Sequence, residues 1–297
     1  MQIKILNAST YENTDANNGD SIIIDTNEKM YVYDCGCREH AERVIKYAKD
    51  KGYEKFDVIL SHNDSDHFDG IPILIESGMV NSVITNLLFK HTDEILKKID
   101  DKRRTKDSVR EAIKKDYDNI YSLSGTCKLV DAYEAELADI NIVGPDYYYM
   151  IEAVAKRLDG REGNTLDGDT AVNATSIQLS VVSGDKKMLL TGDATYEAIK
   201  NNLESHNIIQ LCHHGKAETA EKIFEHNSTR DDRNKILYLV SDNTGNTNGG
   251  SEKLESKGHR IKNTRIIKDD ITVDFSERTF EPKSNFGGDW LEIDFRQ

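Results

Sequence analysis

Short apolar segments that read as strands alternate with segments of helical spacing along both halves of this chain. Residues 41–48 have the spacing of a helix that ends at Gly52, and residues 56–60 are a mostly apolar run typical of a strand buried in a sheet. The last two strands are predicted over residues 264–267 and 271–275. This alternation predicts the α/β class, with sheets covered by helices.

The size and charge of the chain limit its domain number and its partners. Its 297 residues are enough for one large domain or two small ones, and three prolines with 37% hydrophobic residues are typical of a globular protein. The formal net charge of −14 repels phosphate backbones, so nucleic acid is not favoured unless metal ions or a local basic patch override that field. The densest basic stretch, residues 97–115, is interleaved with acids, which indicates a solvated helix face.

Several features favour a cytoplasmic protein without a membrane partner. No window approaches the roughly 20 apolar residues of a membrane span, and the N-terminal residues lack the pattern of a secretion signal. Four cysteines without a Cys-x-x-Cys pair are expected to be free thiols in a reducing compartment. Nothing in the sequence predicts an oligomeric state.

Four good metal donors follow the apolar strand over residues 56–60, namely His62, Asp64, Asp66 and His67. The carboxyl end of a buried strand is where such sheets place their active sites. A lone histidine is ordinarily a satisfied core or surface residue, but two histidines and two carboxylates within six residues are hard to explain in that way. The spacing therefore predicts a metal centre, with room for two ions about 3.5–4 Å apart.

Two later strand ends support this prediction. Residues 189–193 form an apolar strand that ends in Gly-Asp, which suits a carboxylate bridging two cations, although Asp193 alone could be an ordinary turn residue. Residues 211–215 are another strand end, which carries His213 and His214 and is only weakly specific by itself.

Taken in order, these residues resemble the metallo-β-lactamase superfamily, with its His-x-His-x-Asp-His signature, a later Gly-Asp strand end and a final histidine. The branch that the chain resembles most is typified by the hydrolase domain of ComEC-type competence proteins. The matching motifs are Gly19-Asp20-Ser21, Asp34-Cys35-Gly36, residues 61–67 with Gly70, residues 173–176, residues 189–193, His213-His214-Gly215, Ser241-Asp242-Asn243 and residues 254–258. The resemblance covers nearly the whole chain except about residues 86–165.

The resemblance implies an αββα sandwich, in which two mixed β-sheets are flanked by helices in a single domain over residues 1–297. The segment at about 86–165 would be a helical insertion that covers the substrate, or alternatively a solvated packing element. The implied metal ligands are His62 and Asp64 for one ion, Asp66 and His67 for the other, a bridging Asp193, and His213 or else His214.

The resemblance also implies roles around the ligands. Asp66 and the spare histidine, taken as His214, are the expected catalytic residues, and the histidine would protonate the leaving group or contact a phosphate. Asp34 or Asp20 would orient the ligating histidines, unless these two are only turn or capping residues.

Two departures from the family pattern affect the predicted metal. Asp64 stands where the superfamily usually has a histidine, and Asn173 lies near the place of a further missing histidine. Asn173 is either a ligand or an amide that bonds the loop backbone. One site would then be rich in oxygen, which shifts the expectation from zinc towards manganese, or a single ion would remain.

The implied activity is that of a metal-dependent hydrolase in which the cations activate a water for attack. The superfamily cleaves phosphodiesters, thioesters, lactones and β-lactams, so the fold does not settle the substrate. The ComEC-type branch favours a phosphodiester, and the acidic surface favours a small or locally bound one over long duplex DNA. A lactonase or thioesterase is one alternative, and a non-catalytic binding module with a degraded metal site is another.

Overall fold

Two large mixed sheets form the centre of the molecule in a computed structural model that describes residues 1–8, 18–159, 165–243 and 250–275. The strands are β1 (Gln2–Ile5), β2 (Ser21–Asp25), β3 (Met30–Cys35), β4 (Phe56–Ile59), β5 (Val80–Thr85), β6 (Lys128–Asp131), β7 (Ile140–Gly144), β8 (Thr165–Leu166), β9 (Asp169–Thr170), β10 (Gln178–Ser183), β11 (Lys186–Leu190), β12 (Ile208–Gln210), β13 (Leu237–Val240), β14 (Arg260–Asn263) and β15 (Ile271–Asp274). The first sheet has the order β15-β1-β2-β3-β4-β5-β6, and the second has the order β14-β13-β12-β11-β10-β7. Within the described residues, β8 and β9 pair with each other as a short hairpin.

The helices cover the outer faces of the sheets or, where they are short, follow the ends of strands. They are α1 (Arg38–Lys51), α2 (Ser65–Phe68), α3 (Ile71–Glu76), α4 (Thr92–Lys98), α5 (Lys106–Asp116), α6 (Asp118–Ser122), α7 (Tyr147–Asp159), α8 (Ala171–Ala174), α9 (Tyr196–Leu203), α10 (Cys212–Gly215), α11 (Ala217–Asn227) and α12 (Thr264–Ile267). In the described part of the chain, no helix is both long and apolar enough to cross a bilayer.

Three apolar clusters show that the layers are stacked helix, sheet, sheet, helix. One cluster joins side chains of both sheets, such as Ile22 and Ile59 of the first and Leu179 and Leu190 of the second. The others lie between each sheet and its helices. Because strands alternate their side chains between two faces, apolar residues on both faces fit a sheet that is covered on both sides. The predicted αββα class is confirmed.

The segment predicted as an insertion contributes to the core as well as to the surface. Helices α4 to α7 lie within it and pack on the outer face of the first sheet. It also contains β6 and β7, which are the last strands of the first and second sheets respectively. Residues 160–164 of this segment lie outside the described residues. Its role as a substrate cover stays a prediction.

The strand predicted over residues 264–267 is wrong, because the chain forms the short helix α12 there. The side chain of Asn263 accepts a hydrogen bond from the backbone N–H of Arg265, which caps the helix. Ile266 is 77% exposed, so the apolar pattern that suggested a buried strand does not mark burial at this place.

Asp270 joins the edge of the first sheet to α1. Its carboxylate accepts hydrogen bonds from Nη2 of Arg43 at 2.6 Å and from the backbone N–H of Asn7 at 3.0 Å, and it pairs with Nζ of Lys4 at 2.8 Å. Burial raises the pKa of Asp270, but the hydrogen bonds and charges of these donors lower it by more. The pKa of Asp270 is therefore below its ordinary value.

We expect Asp270→Asn to lower the free energy of unfolding at pH 7 by about 1–3 kcal/mol, because a charge-assisted network is lost. A folded-state pKa below the unfolded value stabilises the protein above about pH 4, and this contribution is lost as the pH falls through the folded-state pKa. Urea unfolding at pH 7 and at low pH measures the difference, with Asp269→Asn at the exposed neighbour as the control. A difference between the wild type and Asp270→Asn that does not shrink at low pH would contradict this account.

Candidate metal centre

Strand ends from both sheets meet at one edge, and each delivers candidate ligands. β4 leads into residues 61–67, here called the ligand loop, which carries His62 and, on α2, Asp66 and His67. β11 leads to Asp193 and β12 leads to His214. The carboxyl ends of these strands thus bring together residues that are up to 152 positions apart in the chain.

His62, His67 and Asp193 form a buried group that fits a divalent cation. Each offers one ligand atom, and these atoms lie within 4.8 Å of one another. Nε2 of both histidines and Oδ1 of Asp193 have no hydrogen-bond partner among the described residues, although leaving buried polar atoms unpaired is costly. Nε2 of His67 lies 3.3 Å from Oδ1 of Asp193. Two ligands of one tetrahedral ion are separated by about 3.4 Å, so this spacing fits a shared metal.

Asp66, His67 and His214 form a second group of the same kind, which overlaps the first at His67. Nε2 of His214 lies 3.0 Å from Oδ2 of Asp66 and 3.7 Å from Oδ2 of Asp193. A third group joins Asp20 to Asp193 and His214. Because these groups overlap, the described residues can provide ligands for one ion or for two adjacent ions.

Each of the three histidines in these ligand groups is held through Nδ1, which leaves its Nε2 directed into the centre. Nδ1 of His67 lies 2.8 Å from Oδ2 of Asp34, and Nδ1 of His214 lies 3.1 Å from Oδ1 of Asp20. Nδ1 of His62 lies 2.9 Å from Oγ of Ser61. Such partners fix the tautomer and ring orientation of a ligating histidine. The sequence predicted this role for Asp34 and Asp20 but not for Ser61.

Gly19 and Gly36 allow the ligand loop to approach two neighbouring segments. A Cβ atom at Gly19 would lie 1.6 Å from the carbonyl oxygen of Asp66, and one at Gly36 would lie 1.9 Å from the same oxygen. Gly19 also has a φ of 53°, which glycine adopts without strain. The backbone N–H of Asp20 donates to the carbonyl of Asp66 at 3.1 Å. A larger residue at either glycine would therefore displace Asp66.

His213 lies beside the buried group and is more open to solvent, with a side chain that is 28% exposed. Its Nδ1 lies 2.8 Å from Oδ2 of Asp169, and its Nε2 lies 3.7 Å from Oδ2 of Asp193. Asp169 also accepts hydrogen bonds from Nδ2 of Asn173 at 2.9 Å and from Nζ of Lys216 at 3.0 Å. Asp169 is not predicted from the sequence, because its Asp-Gly-Asp context is that of an ordinary turn.

Two further predicted ligands lie at the margin. Oδ2 of Asp64 is 3.6 Å from Nε2 of His62, but the Asp64 side chain is 45% exposed. Asn173 is buried, and its Oδ1 has no hydrogen-bond partner among the residues that the structure describes. Asp64 belongs to none of the three ligand groups formed by described His, Cys, Asp and Glu side chains.

The side chains of the candidate ligands polarise one another strongly. Burial lowers the pKa of His67, but the carboxylates of Asp193, Asp66 and Asp34 reverse this and raise the pKa well above its ordinary value. Burial raises the pKa of Asp193, but His214, His67 and His213 reverse this and lower the pKa well below its ordinary value. The carboxylates thus concentrate negative charge at the imidazole nitrogens, a field that equally favours a bound cation.

Comparison with known proteins supports the architecture. No protein-family model and no curated protein matches the chain. Among solved structures, it is similar to the metallo-β-lactamase fold protein YhfI from Bacillus subtilis, with a TM-score of 0.50 and 12% identity over 92% of this chain and 99% of that one. A metallo hydrolase from the archaeon Ignicoccus hospitalis gives a TM-score of 0.47 at 10% identity, over 92% and 99% of the two chains. The short form of human tRNase Z gives 0.45 at 10% identity, over 93% and 99%. The likeness to the Bacillus protein shows that this chain has the metallo-β-lactamase fold.

Proposed function

We propose that this protein is a metal-dependent hydrolase that cleaves a phosphodiester. The observation that carries the proposal is the convergence of His62, Asp66, His67, Asp193 and His214 at one place. Within this set, Nε2 of His62, Nε2 of His67 and Oδ1 of Asp193 are buried and have no hydrogen-bond partner among the described residues. A mixed set of imidazoles and carboxylates is typical of catalytic zinc or manganese centres.

The exposure and contacts of the two adjacent histidines favour His214 as the ligand. His214 is 4% exposed, its Nε2 faces Asp66, and its Nδ1 is held by Asp20. His213 faces the open side of the centre and is held by Asp169 instead. We therefore assign Asp66, His67 and His214 to one ion and His62 to the other. Asp193 is assigned as the ligand between the two ions, and His213 is assigned to contact the substrate.

A bound pair of divalent cations would supply an activated water and a Lewis acid for the scissile bond. The protein's own contribution is to hold the ligands in one orientation, since Asp34, Asp20 and Ser61 each fix the Nδ1 side of a histidine. Burial lowers the pKa of His213, but Asp193 and the hydrogen bond to Asp169 reverse this and raise it, so the imidazolium form of His213 can donate from Nε2 to a phosphate or leaving-group oxygen.

Two arguments favour a phosphodiester over other esters. Motifs that resemble those of the ComEC-type branch contact one another around the centre, since Asp20 bonds His214, and Asn243 donates to the carbonyl of Gly19 at 2.8 Å. His213 and Lys216 also lie on the open side as potential donors to an anionic group. The net negative charge of the chain favours a small phosphodiester over long duplex DNA. A short nucleic acid contains the same bond and belongs to the same substrate class.

Asp64 influences the choice of metal. In the described structure its carboxylate lies next to His62, at the more exposed of the two proposed metal positions. An oxygen donor at that place favours a harder ion than zinc, so we propose manganese as the activating ion there. The same exposure favours a binding module without catalysis as the second candidate, because a weakly held ion would leave one position empty.

The test is turnover of bis(p-nitrophenyl) phosphate by protein that has been stripped with a chelator and then reloaded. We expect hydrolysis to be absent in the stripped protein, to return with Mn²⁺, and to return less with Zn²⁺. A p-nitrophenyl thioester and a lactone serve as comparison substrates under the same conditions.

The other outcomes separate the alternatives. Turnover of the thioester or lactone without phosphodiester cleavage would replace the proposal with a lactonase or thioesterase. Tight metal binding by calorimetry without turnover of any substrate would favour the binding module.

A further inference from the structure

A pair of asparagines connects the helical segment before β6 to the ligand loop. Asn63 lies between the predicted ligands His62 and Asp64. Nδ2 of Asn119, on α6, donates to the carbonyl of Asn63 at 2.8 Å. In return, Nδ2 of Asn63 donates to the carbonyl of Asp116, at the end of α5, at 2.9 Å. The two amides therefore form a reciprocal clasp between the helices and the loop.

The orientation of the Asn119 amide is fixed by its surroundings. Its Oδ1 accepts hydrogen bonds from the backbone N–H of Ile120 at 3.0 Å and from Nδ2 of Asn63 at 3.5 Å, so its Nδ2 is the group that donates to the carbonyl of Asn63. Since the partner on the loop is a carbonyl oxygen, only a donor at this position makes the contact. An aspartate, which has nearly the same shape, would instead place an oxygen against an oxygen.

The helices behind the clasp form a firm support. Val109, Ile113, Tyr117 and Ile120 are buried in the core on the outer face of the first sheet. Oδ2 of Asp116 accepts a hydrogen bond from Nε of Arg157 at 3.0 Å, which ties the end of α5 to α7. Asn119 thus projects from an element that is anchored independently of the ligand loop.

The ends and the middle of the ligand loop are held by different elements. The ends of the loop are held from the first sheet, since Asp34 bonds both Ser61 and His67, and Asp20 bonds the carbonyl of Asp66. The middle of the loop, at Asn63, is held from the helical segment by the clasp. A change in the clasp should therefore affect His62 and Asp64 more than His67.

We infer that Asn119 is a positioning residue of the metal centre, which holds the His62–Asp64 part of the ligand loop in its binding geometry. The inference rests on the proposed function only in that the centre binds divalent cations. It gives the helical segment over residues 106–122 a role as a brace for the ligands, separate from any role as a substrate cover.

The experiment measures metal binding and local backbone protection in Asn119→Ala and Asn119→Asp. We expect the weaker step of a Mn²⁺ titration to lose about tenfold or more in affinity, as for other partners that orient ligands, while the tighter step stays within about threefold. We also expect faster hydrogen exchange in a peptide covering residues 61–66. Ser122→Ala on the same helix is the matched control, because the Ser122 hydroxyl bonds the carbonyl of Asn119 within α6.

The aspartate variant separates positioning from simple packing. A packing role predicts that Asn119→Asp behaves like the wild type, whereas the clasp predicts a defect at least as large as that of Asn119→Ala. If Asn119→Ala does not fold, Asn63→Ala replaces it, since it removes the opposite hydrogen bond of the clasp and should show the same local effects.

The inference is overturned if metal affinity and exchange over residues 61–66 are unchanged in both Asn119 variants, or if Ser122→Ala shows the same losses. Failure of the proposed function has a different signature. A wild-type protein that binds metal without turnover would contradict the hydrolase proposal and leave the binding test intact. If the wild type binds no metal, the assignment of Asn119 to a metal centre falls with it, whatever the exchange data show.

Discussion

Replacement of Asp66 by alanine is expected to abolish metal-dependent activity and to weaken cation binding by more than about 100-fold. The carboxylate of Asp66 lies 3.0 Å from Nε2 of His214 and 3.9 Å from Nε2 of His67, within the second ligand group. Loss of a residue that merely orients a ligand typically costs 10–100-fold, so loss of a ligand should cost more. Calorimetric titration with Mn²⁺ and the phosphodiester assay measure the two effects.

The matched control for this prediction is Asp69→Ala. Asp69 lies three residues further along the chain, directly after α2, and is exposed, so its loss changes the net charge by the same amount without removing a ligand. The backbone contact between Asp20 and the carbonyl of Asp66 does not depend on the Asp66 side chain and should keep the loop folded. Full activity in Asp66→Ala, or equal losses in the two variants, would remove Asp66 from the centre.

The candidate ligands at the strand ends could be predicted from the sequence because each motif is short and continuous along the chain. An apolar run followed by His62, Asp66 and His67 lies within a dozen residues, and the Gly-Asp end of β11 is equally compact. Parallel strands bring such ends to the same edge, so their meeting follows from the fold class. The αββα architecture and the convergence of these strand-end residues could thus be predicted together.

Contacts between distant segments carry no such local signal. Asp169 reaches His213 across 44 positions, and Asn119 reaches Asn63 across 56. The sequence around Asp169 is that of a turn, and Asn119 is one amide on a charged helical segment. Side-chain hydrogen bonds of this kind depend on tertiary packing, which periodicity does not encode.

The dependence of side-chain direction on tertiary structure also explains why the sequence did not determine the roles of the two adjacent histidines. His213 and His214 both have left-handed backbone conformations, with φ of 52° and 53°, so neither strand nor helix periodicity predicts where their side chains point. The sequence favoured His213 as the ligand. The described geometry places His214 at the buried position and His213 towards solvent, and the assignment of His214 is part of the proposal.

Asp34 supports the centre from within the first sheet, and it is completely buried. Its Oδ1 accepts a hydrogen bond from the backbone N–H of Ser61 at 2.6 Å. Its Oδ2 accepts one from the hydroxyl of Ser61 at 2.7 Å and lies 2.8 Å from Nδ1 of His67. A carboxylate can accept all three hydrogen bonds at once, whereas an amide presents an N–H₂ group on one side.

Asp34→Asn is therefore expected to weaken metal binding by about 10–100-fold and to lower the free energy of unfolding by about 1–3 kcal/mol. The amide N–H₂ would face a donor, either at Ser61 or at His67, and His67 would lose the partner that keeps its Nε2 available for a cation. Mn²⁺ titration and urea unfolding measure the two quantities. The matched control is Asp25→Asn. Asp25 is a buried carboxylate at the far end of the neighbouring strand β2, and it accepts hydrogen bonds from Tyr47 and Tyr53, both at 2.7 Å. That variant should lose stability but keep its metal affinity. If both variants lose stability equally and neither loses affinity, Asp34 only stabilises the fold and does not orient a ligand.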